Sequence, residues 1–382
     1  MKALGGPRSA RAVAVSTATF ALLAGSVALG ANDSSADRDP PLRLQGRLAS
    51  SVQAPSVDEL SLSSQVGRLV ILRFAGTSAP EYVQEILREG RAAGAILFRD
   101  NAINPEQTKS LTAELRRDAQ SPPLICVDQE GGSVRILRWL GPMRAAPEQR
   151  AAGTERADAA AAARGLRAAG VNVSLAPVAD VASVPGAALA SRAFSTDFDT
   201  ASRSVAAAVR GWQEGGVASS VKHFPGLGGA TVNTDHGRVT IARGAARLRG
   251  QDLLPFRRAI RAGVQLVMVG HAVYPAIDRA RIASQSKAVV SGLLRKELGY
   301  HGVVITDSTE AAAVLAVTTP AQAAVRNVRA GVDIVLTTGR GSYIRVYRTL
   351  LAEAKRDPAF RARVQESAAR VLALQRALGR VR

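Results

Sequence analysis

From Val57 onward the chain repeats one hydrophobic pattern. A short uninterrupted apolar run is followed by a longer stretch in which apolar residues return at helical spacing. The runs are Leu69–Phe74, Ala95–Phe98, Leu124–Asp128, Val171–Val178, Val217–Phe224, Gln265–His271, Gly302–Asp307 and Val332–Leu336. Runs without polar alternation predict strands covered on both faces, as in a parallel sheet sheathed by helices. The intervening stretches predict helices over Glu81–Ala92, Gln107–Ala119, Glu155–Ala168, Thr200–Glu214, Gln251–Ala262, Val289–Leu298 and Ala321–Arg329. Gly94, Gly170, Gly216, Gly263 and Gly331 stand just before the next run, where glycine supplies a left-handed helix C-cap. Eight such units over about 320 residues predict an α/β fold of the (β/α)8 TIM-barrel type, as one domain spanning 57–382. The competitor is a doubly wound open sheet, and the count of eight favours the barrel. A spare segment, Arg361–Leu378, predicts a final helix packed on the outside.

The residues before Val57 follow another pattern. Lys2, Arg8 and Arg11 precede an apolar run from Ala12 to about Leu29, with small residues at Ala28, Gly30 and Ala31. This is the layout of a secretory signal peptide over 1–31. The run approaches the ~18 residues of a membrane span, but its internal Ser and Thr and its small-residue end favour cleavage over anchoring. Residues 32–56 are polar, aperiodic and contain proline, which predicts a flexible linker. No cysteine follows the apolar run closely enough to carry a lipid, since the single cysteine is Cys126. The expected location is extracytoplasmic, secreted or at the cell envelope, with no stable membrane span after cleavage.

The composition narrows the chemistry. Hydrophobic residues are 47% and charged residues 21% of the 382, which excludes wholesale disorder. One cysteine excludes an intramolecular disulfide framework and any cysteine-rich metal site, and a multi-histidine metal centre would use nearly all of the four histidines. With 34 glycines against 13 Phe plus Tyr, the core is expected to use small residues. The net charge of +19 first suggests nucleic acid. The arginines, however, are scattered through helices without interleaved aromatics, so no stacking platform is expected. The same charge would hold an exported protein near an anionic envelope.

Polar residues gather where a barrel uses them, at the carboxyl ends of the strands. The third run ends in Asp128-Gln129-Glu130, the fifth in Lys222-His223, the sixth in His271 and the seventh in Asp307. A lone strand-end Asp often caps a helix, and a lone His is often a satisfied core residue. Three of the four histidines (His223, His236, His271) at strand ends or in the loop after one exceed what capping explains. Asp, Lys, Arg and His together suit a ligand with many hydroxyls. No phosphate-cradling glycine motif is present.

These residues also carry a resemblance. Val221–Gly228 (VKHFPGLG) is similar to the KHFPGHG signature of glycoside hydrolase family 3, and four further stretches fit that family in the same order. They are Gly94–Asn101 (GAILFRDN), Leu124–Val134 (LICVDQEGGSV), Ser191–Asp197 (SRAFSTD) and Val303–Ser308 (VVITDS). Gly270–Asp278 and Leu293–Val303 fit as well. Together they cover about residues 60–340 and resemble the single-domain β-N-acetylglucosaminidase branch. The resemblance implies an exported retaining glycosidase that removes terminal β-linked N-acetylglucosamine from cell-wall-derived or chitin-like glycans. Its covalent glycosyl-enzyme would form on Asp307, with no cofactor and no metal. Asp128, Arg192, Lys222, His223 and His271 would hold the sugar.

The acid/base position departs from the family. The expected Asp-Ser-His is replaced within Gly229–Gly237 (GGATVNTDHG). Aligned without a gap, Asn233 takes the Asp position and Asp235 the His position; with a one-residue insertion, His236 takes the His position. His236 is favoured as proton donor because its ordinary pKa is about 6.5, with Asp235 as orienter or substitute. Leu227 replaces the His of PGHG, and Ser133 and Ile136 replace two arginines, with Arg135 and Arg138 nearby. The broken dyad leaves two alternatives: a non-catalytic glycan-binding relative, or a β-glucosidase-like or phosphorolytic variant.

Overall fold

The computed structural model describes residues 56–380. The expected leader lies outside them, as does the linker except for Ser56. Eight strands follow the eight apolar runs: β1 Val70–Arg73, β2 Gly94–Ile96, β3 Leu124–Val127, β4 Val173–Ser174, β5 Ala218–Phe224, β6 Leu266–Val269, β7 Val303–Thr306 and β8 Val335–Leu336. From β1 to β7 each strand pairs in parallel with the next, and β8 pairs with β1. The last gap closes through an Ile305–Ile334 bridge, with Thr306 N–H donating to the Ile334 carbonyl at 2.9 Å. The sheet is therefore a closed barrel, and the open-sheet alternative is excluded.

The uninterrupted runs resolve into two cores by the strand period of two. Ile71, Ile96, Cys126, Leu175, Met268, Ile305 and Leu336 belong to one cluster filling the lumen. Val70, Leu72, Ala95, Ile125, Val127, Val267 and Val304 pack with the surrounding helices. Both faces are dry, which is why the runs show no polar alternation.

Helices α1 Glu81–Arg88, α2 Pro105–Arg116, α3 Glu155–Ala168, α4 Phe198–Glu214, α5 Leu254–Arg261, α6 Ala288–Glu297, α7 Pro320–Ala330 and α8 Ser342–Arg356 cover the outside. Three of their starts are set by side-chain caps: Asn104 accepts from Gln107 N–H, Asp197 from Thr200 N–H and Thr319 from Gln322 N–H. Helix α6 is wound as a π-helix, which its residue pattern does not foretell. Gly170, Gly216, Gly263 and Gly331 have positive φ, as expected of C-caps. Gly94 does not: it opens β2, where a Cβ would lie 1.9 Å from the Leu124 carbonyl oxygen, and Gly90 takes the left-handed turn instead (φ +67°).

The final helix, α9 Pro358–Gly379, corrects the expectation of an external helix. Val371, Leu374 and Leu378 join the lumen cluster. Gln375 Nε2 donates to the Ala93 carbonyl at 2.9 Å, and Ser367 Oγ donates to Asp333 at 3.0 Å. Both partners precede strands, so α9 stoppers the amino-terminal end of the barrel. The other end is left for chemistry. Among the described residues no helix is long and apolar enough to cross a membrane.

Candidate active site

The chain leaves β3 at Asp128 and turns into a small hairpin, Gln129–Gly131 paired with Val134–Arg135. Fully buried Gln129 ties this hairpin down. Its Nε2 donates to the Leu137 and Gly141 carbonyls (3.0 and 2.9 Å), and its Oε1 accepts from Ile136 and Leu137 N–H (both 3.1 Å). Asp128 and Glu130 are thereby fixed over the barrel mouth. The β5–β6 ladder slips between Val221 and Phe224, which takes Lys222 and His223 out of regular alternation. Lys222 Nζ lies 2.6 Å from Asp128 Oδ1 and 2.6 Å from Glu130 Oε1. Arg192, from the loop before α4, grips Glu130 with two bonds of 2.7 Å. Burial alone would raise the Glu130 carboxyl, but the charges of Lys222 and Arg192 outweigh it and bring it down to about 2. Burial opposes the charge on Lys222 too, yet Asp128 and Glu130 hold its pKa above the ordinary lysine value.

His223 is oriented from below. Its Nδ1 lies 2.7 Å from Asp180 Oδ2, and the other oxygen of Asp180 accepts from Leu227 N–H at 2.5 Å. The far nitrogen, Nε2, faces Asp307 Oδ2 at 3.8 Å. Asp307 itself is pinned by its own N–H to the Val269 carbonyl (3.0 Å) and accepts Ser308 N–H on Oδ1 (2.7 Å). Burial pushes this carboxyl up, but His223, His271, Lys222 and the Ser308 N–H together hold it below the ordinary aspartate range. His271 is fully buried, its Nδ1 2.9 Å from Ser284 Oγ and its Nε2 2.9 Å from the Ser308 carbonyl oxygen. Burial lowers its pKa, and its two hydrogen bonds make it a clamp on the backbone just after Asp307.

An open cavity of 670 Å³ sits on this platform. Ile96, Leu175, Met268 and Leu336, from the top layer of the lumen, line it together with Asp128, Asp235 and Asp307. Lys222, His223, Arg192 and His271 stand behind this lining and act on the carboxylates that form it. Asp235 and His236 are both exposed, and only Asp235 is among the lining residues. The loop that carries it is bolted down: Ala312 and Ala313, just after Asp307, donate to the carbonyls of Asp235 (3.3 Å) and Thr234 (3.1 Å). Asn233 Nδ2 donates to Asp235 Oδ2 at 3.0 Å. Partial desolvation at the rim, and then the negative charge of Asp307, raise the Asp235 carboxyl above the ordinary range. Among the described residues no group of three His, Cys, Asp or Glu is placed to hold a metal ion.

Two site residues escaped the sequence reading. Glu130 stood in view in Asp128-Gln129-Glu130, but its partners are 62 and 92 positions away. Asp180, just past the fourth apolar run, follows the same strand-end rule as Asp128 and Asp307. Cys126 lies in the lumen cluster, where burial raises its thiol, and takes no part in the site.

Comparison with known proteins places this geometry. The family model described as Glycosyl hydrolase family 3 N terminal domain matches residues 61–374. An uncharacterized secreted glycosyl hydrolase of Arthroderma benhamiae is 33% identical over 342 residues, covering 85% of this chain and 96% of that one. A beta-hexosaminidase of Stenotrophomonas maltophilia is 35% identical over 255 residues, covering 64% of this chain and 76% of that one. The solved structure of a family 3 β-N-acetylglucosaminidase from Paenibacillus superposes with a TM-score of 0.79 at 34% identity. That match covers 84% of this chain, which spans 63% of that longer protein.

Proposed function

Since the chain belongs to glycoside hydrolase family 3, we propose that it is a retaining β-N-acetylhexosaminidase that releases terminal β-linked N-acetylglucosamine. The observation that carries this reading is a pair of carboxyl groups lining one cavity, Asp307 held by the Ser308 N–H and faced by His223, and Asp235 at the rim beside Asn233. Asp307 is held ionised, and Asp235 is held toward its protonated form. Carboxyls driven apart in this way divide into nucleophile and acid.

In the first step an Asp307 carboxylate oxygen bonds to the anomeric carbon while the glycosidic C–O bond breaks, and Asp235 delivers its proton to the departing oxygen. In the second, Asp235, now a carboxylate, takes a proton from water as the water oxygen attacks the anomeric carbon and Asp307 leaves. Asp235 takes the donor role ahead of His236 because it lines the cavity and is steadied by Asn233 and the Ala312 N–H. Asp128 accepts ring hydroxyls. Lys222 and Arg192 neutralise the carboxylates around it, His223 steadies the Asp307 carboxylate, and His271 fixes the backbone behind the nucleophile.

Water is favoured over phosphate as acceptor, since Asp235 is a carboxylate when the acceptor arrives and repels an anion. The glycan is a cell-wall-derived or chitin-like chain met outside the cytoplasm. The leader-like pattern over 1–31 and the fungal relative described as secreted support that location. Chromogenic β-N-acetylglucosaminide should be turned over well ahead of the β-glucoside. A 5-fluoro glycosyl fluoride should add one sugar mass to the peptide bearing Asp307. Asp307→Ala should abolish turnover while leaving the circular dichroism spectrum unchanged. Turnover retained in that variant, or a label elsewhere, would overturn the assignment.

A further inference from the structure

A second open cavity, at 940 Å³ the larger of the two, lies on the barrel flank and shares no lining residue with the catalytic cavity. Four separate parts of the fold converge on it. Arg238 comes from the segment after the Asp235 loop. Arg279 and Arg281 come from a hairpin, Val273–Tyr274 with Asp278–Ile282, that follows β6. Lys287 stands just before α6, and Arg326 on α7. Among the described residues none of these five cations forms an ion pair, and no Asp or Glu lines the cavity. Arg329 and Arg363 also line it but are already paired, the first with Glu353 and Asp357, the second with Asp333 and Glu366.

A buried donor points to what belongs there. Gln285 lines the cavity and is only 3% exposed, yet its Nε2 has no hydrogen-bond partner. Its Oε1 faces Arg326 Nη1 at 3.5 Å, which fixes the amide with the donor left over. An unpaired buried donor is costly, and an incoming oxyanion would remove that cost. Arginine predominates, and the guanidinium fork suits phosphate oxygens. Among the described residues one aromatic ring lines the cavity, Phe360, and at 2% exposed it offers no face for a nucleobase to stack on.

We propose that this flank cavity is a non-catalytic docking site for a linear, non-aromatic polyanion carrying phosphate charges, which would tether the enzyme to an anionic matrix beside its substrate. Binding of fluorescently labelled inorganic polyphosphate to the full chain should be measured by anisotropy across a salt series. Arg279→Gln/Arg281→Gln should lower the slope of log K against log salt by about 1.4, at 0.7 per lost contact, or roughly 20-fold in affinity near 0.1 M salt. Arg88→Gln/Lys109→Gln removes the same charge elsewhere and should leave binding unchanged. Gln285→Leu should weaken binding without changing the slope. Hydrolysis of the small chromogenic substrate should be unaffected by the Arg279/Arg281 pair, so failure here is separable from failure of the catalytic assignment. Equal losses in both double variants would mean diffuse attraction to the net charge and would overturn the site. Tighter binding of poly-L-glutamate or single-stranded DNA at equal charge would overturn the phosphate or the non-aromatic assignment.

Discussion

Replacing Glu130 with Gln tests the platform beneath the cavity while keeping its shape. The carboxylate is only 5% exposed and holds Lys222 and Arg192 together through contacts of 2.6 and 2.7 Å. Its pKa falls from 4.5 to about 2, and at 1.36 kcal/mol per unit this is roughly 3 kcal/mol of stability at neutral pH. The amide cannot neutralise two cations, so Glu130→Gln should cost about 3 kcal/mol at pH 7, within the range for breaking a buried pair. A depressed carboxyl contributes fully above its unfolded pKa and loses that contribution as the pH falls through its folded one. The wild-type advantage should therefore be constant from pH 7 to about 5.5 and narrow by about 1 kcal/mol by pH 3.5. Urea unfolding followed by tryptophan fluorescence over this pH series measures both effects. An unchanged midpoint at pH 7, or a gap that persists undiminished to pH 3.5, would refute the view that charge pairing holds the platform.

Three other outcomes follow. If Asp307 must be ionised and Asp235 protonated, the acid limb of kcat/KM lies below the ordinary aspartate pKa and the alkaline limb above it. Asp235→Asn should erase the alkaline limb and lose about 10²–10⁴-fold in kcat with poor leaving groups, while His236→Ala keeps both limbs; the opposite result transfers the acid role to His236. Leu374→Ala, which opens a hole under the lumen, should lower stability by about 2–4 kcal/mol in urea titrations, with KM unchanged. Asp333→Asn strands Arg295, Arg363 and Arg370 around a fully buried position and should cost about 3–5 kcal/mol by the same measurement.

The barrel was legible because each strand is short, continuous and apolar, and that pattern arises only where both faces are dry. The end of α3 was equally plain, since an Ala-rich helix running into Ala169-Gly170 has few ways to stop. Helix α8 was not singled out, because Ser342–Arg356 follows a glycine-rich turn with no side-chain cap. The place of α9 was hidden for another reason: Val371, Leu374 and Leu378 show that it has an apolar face but not which surface that face covers. In the site, strand-end position found Asp128, Lys222, His223, His271 and Asp307, and family resemblance added Arg192. Which of them touch the cavity was beyond pattern alone, because that depends on the Gln129 hairpin and the Asp180 support. The contrast between Asp235 and His236 rests on backbone bonds to Ala312 and Ala313, some 77 positions onward.

The stopper at the bottom of the lumen orders events during synthesis. Side chains of all eight strands face a shaft whose plug is translated after every one of them, so the lumen cannot be sealed before residues 371–378 have been made.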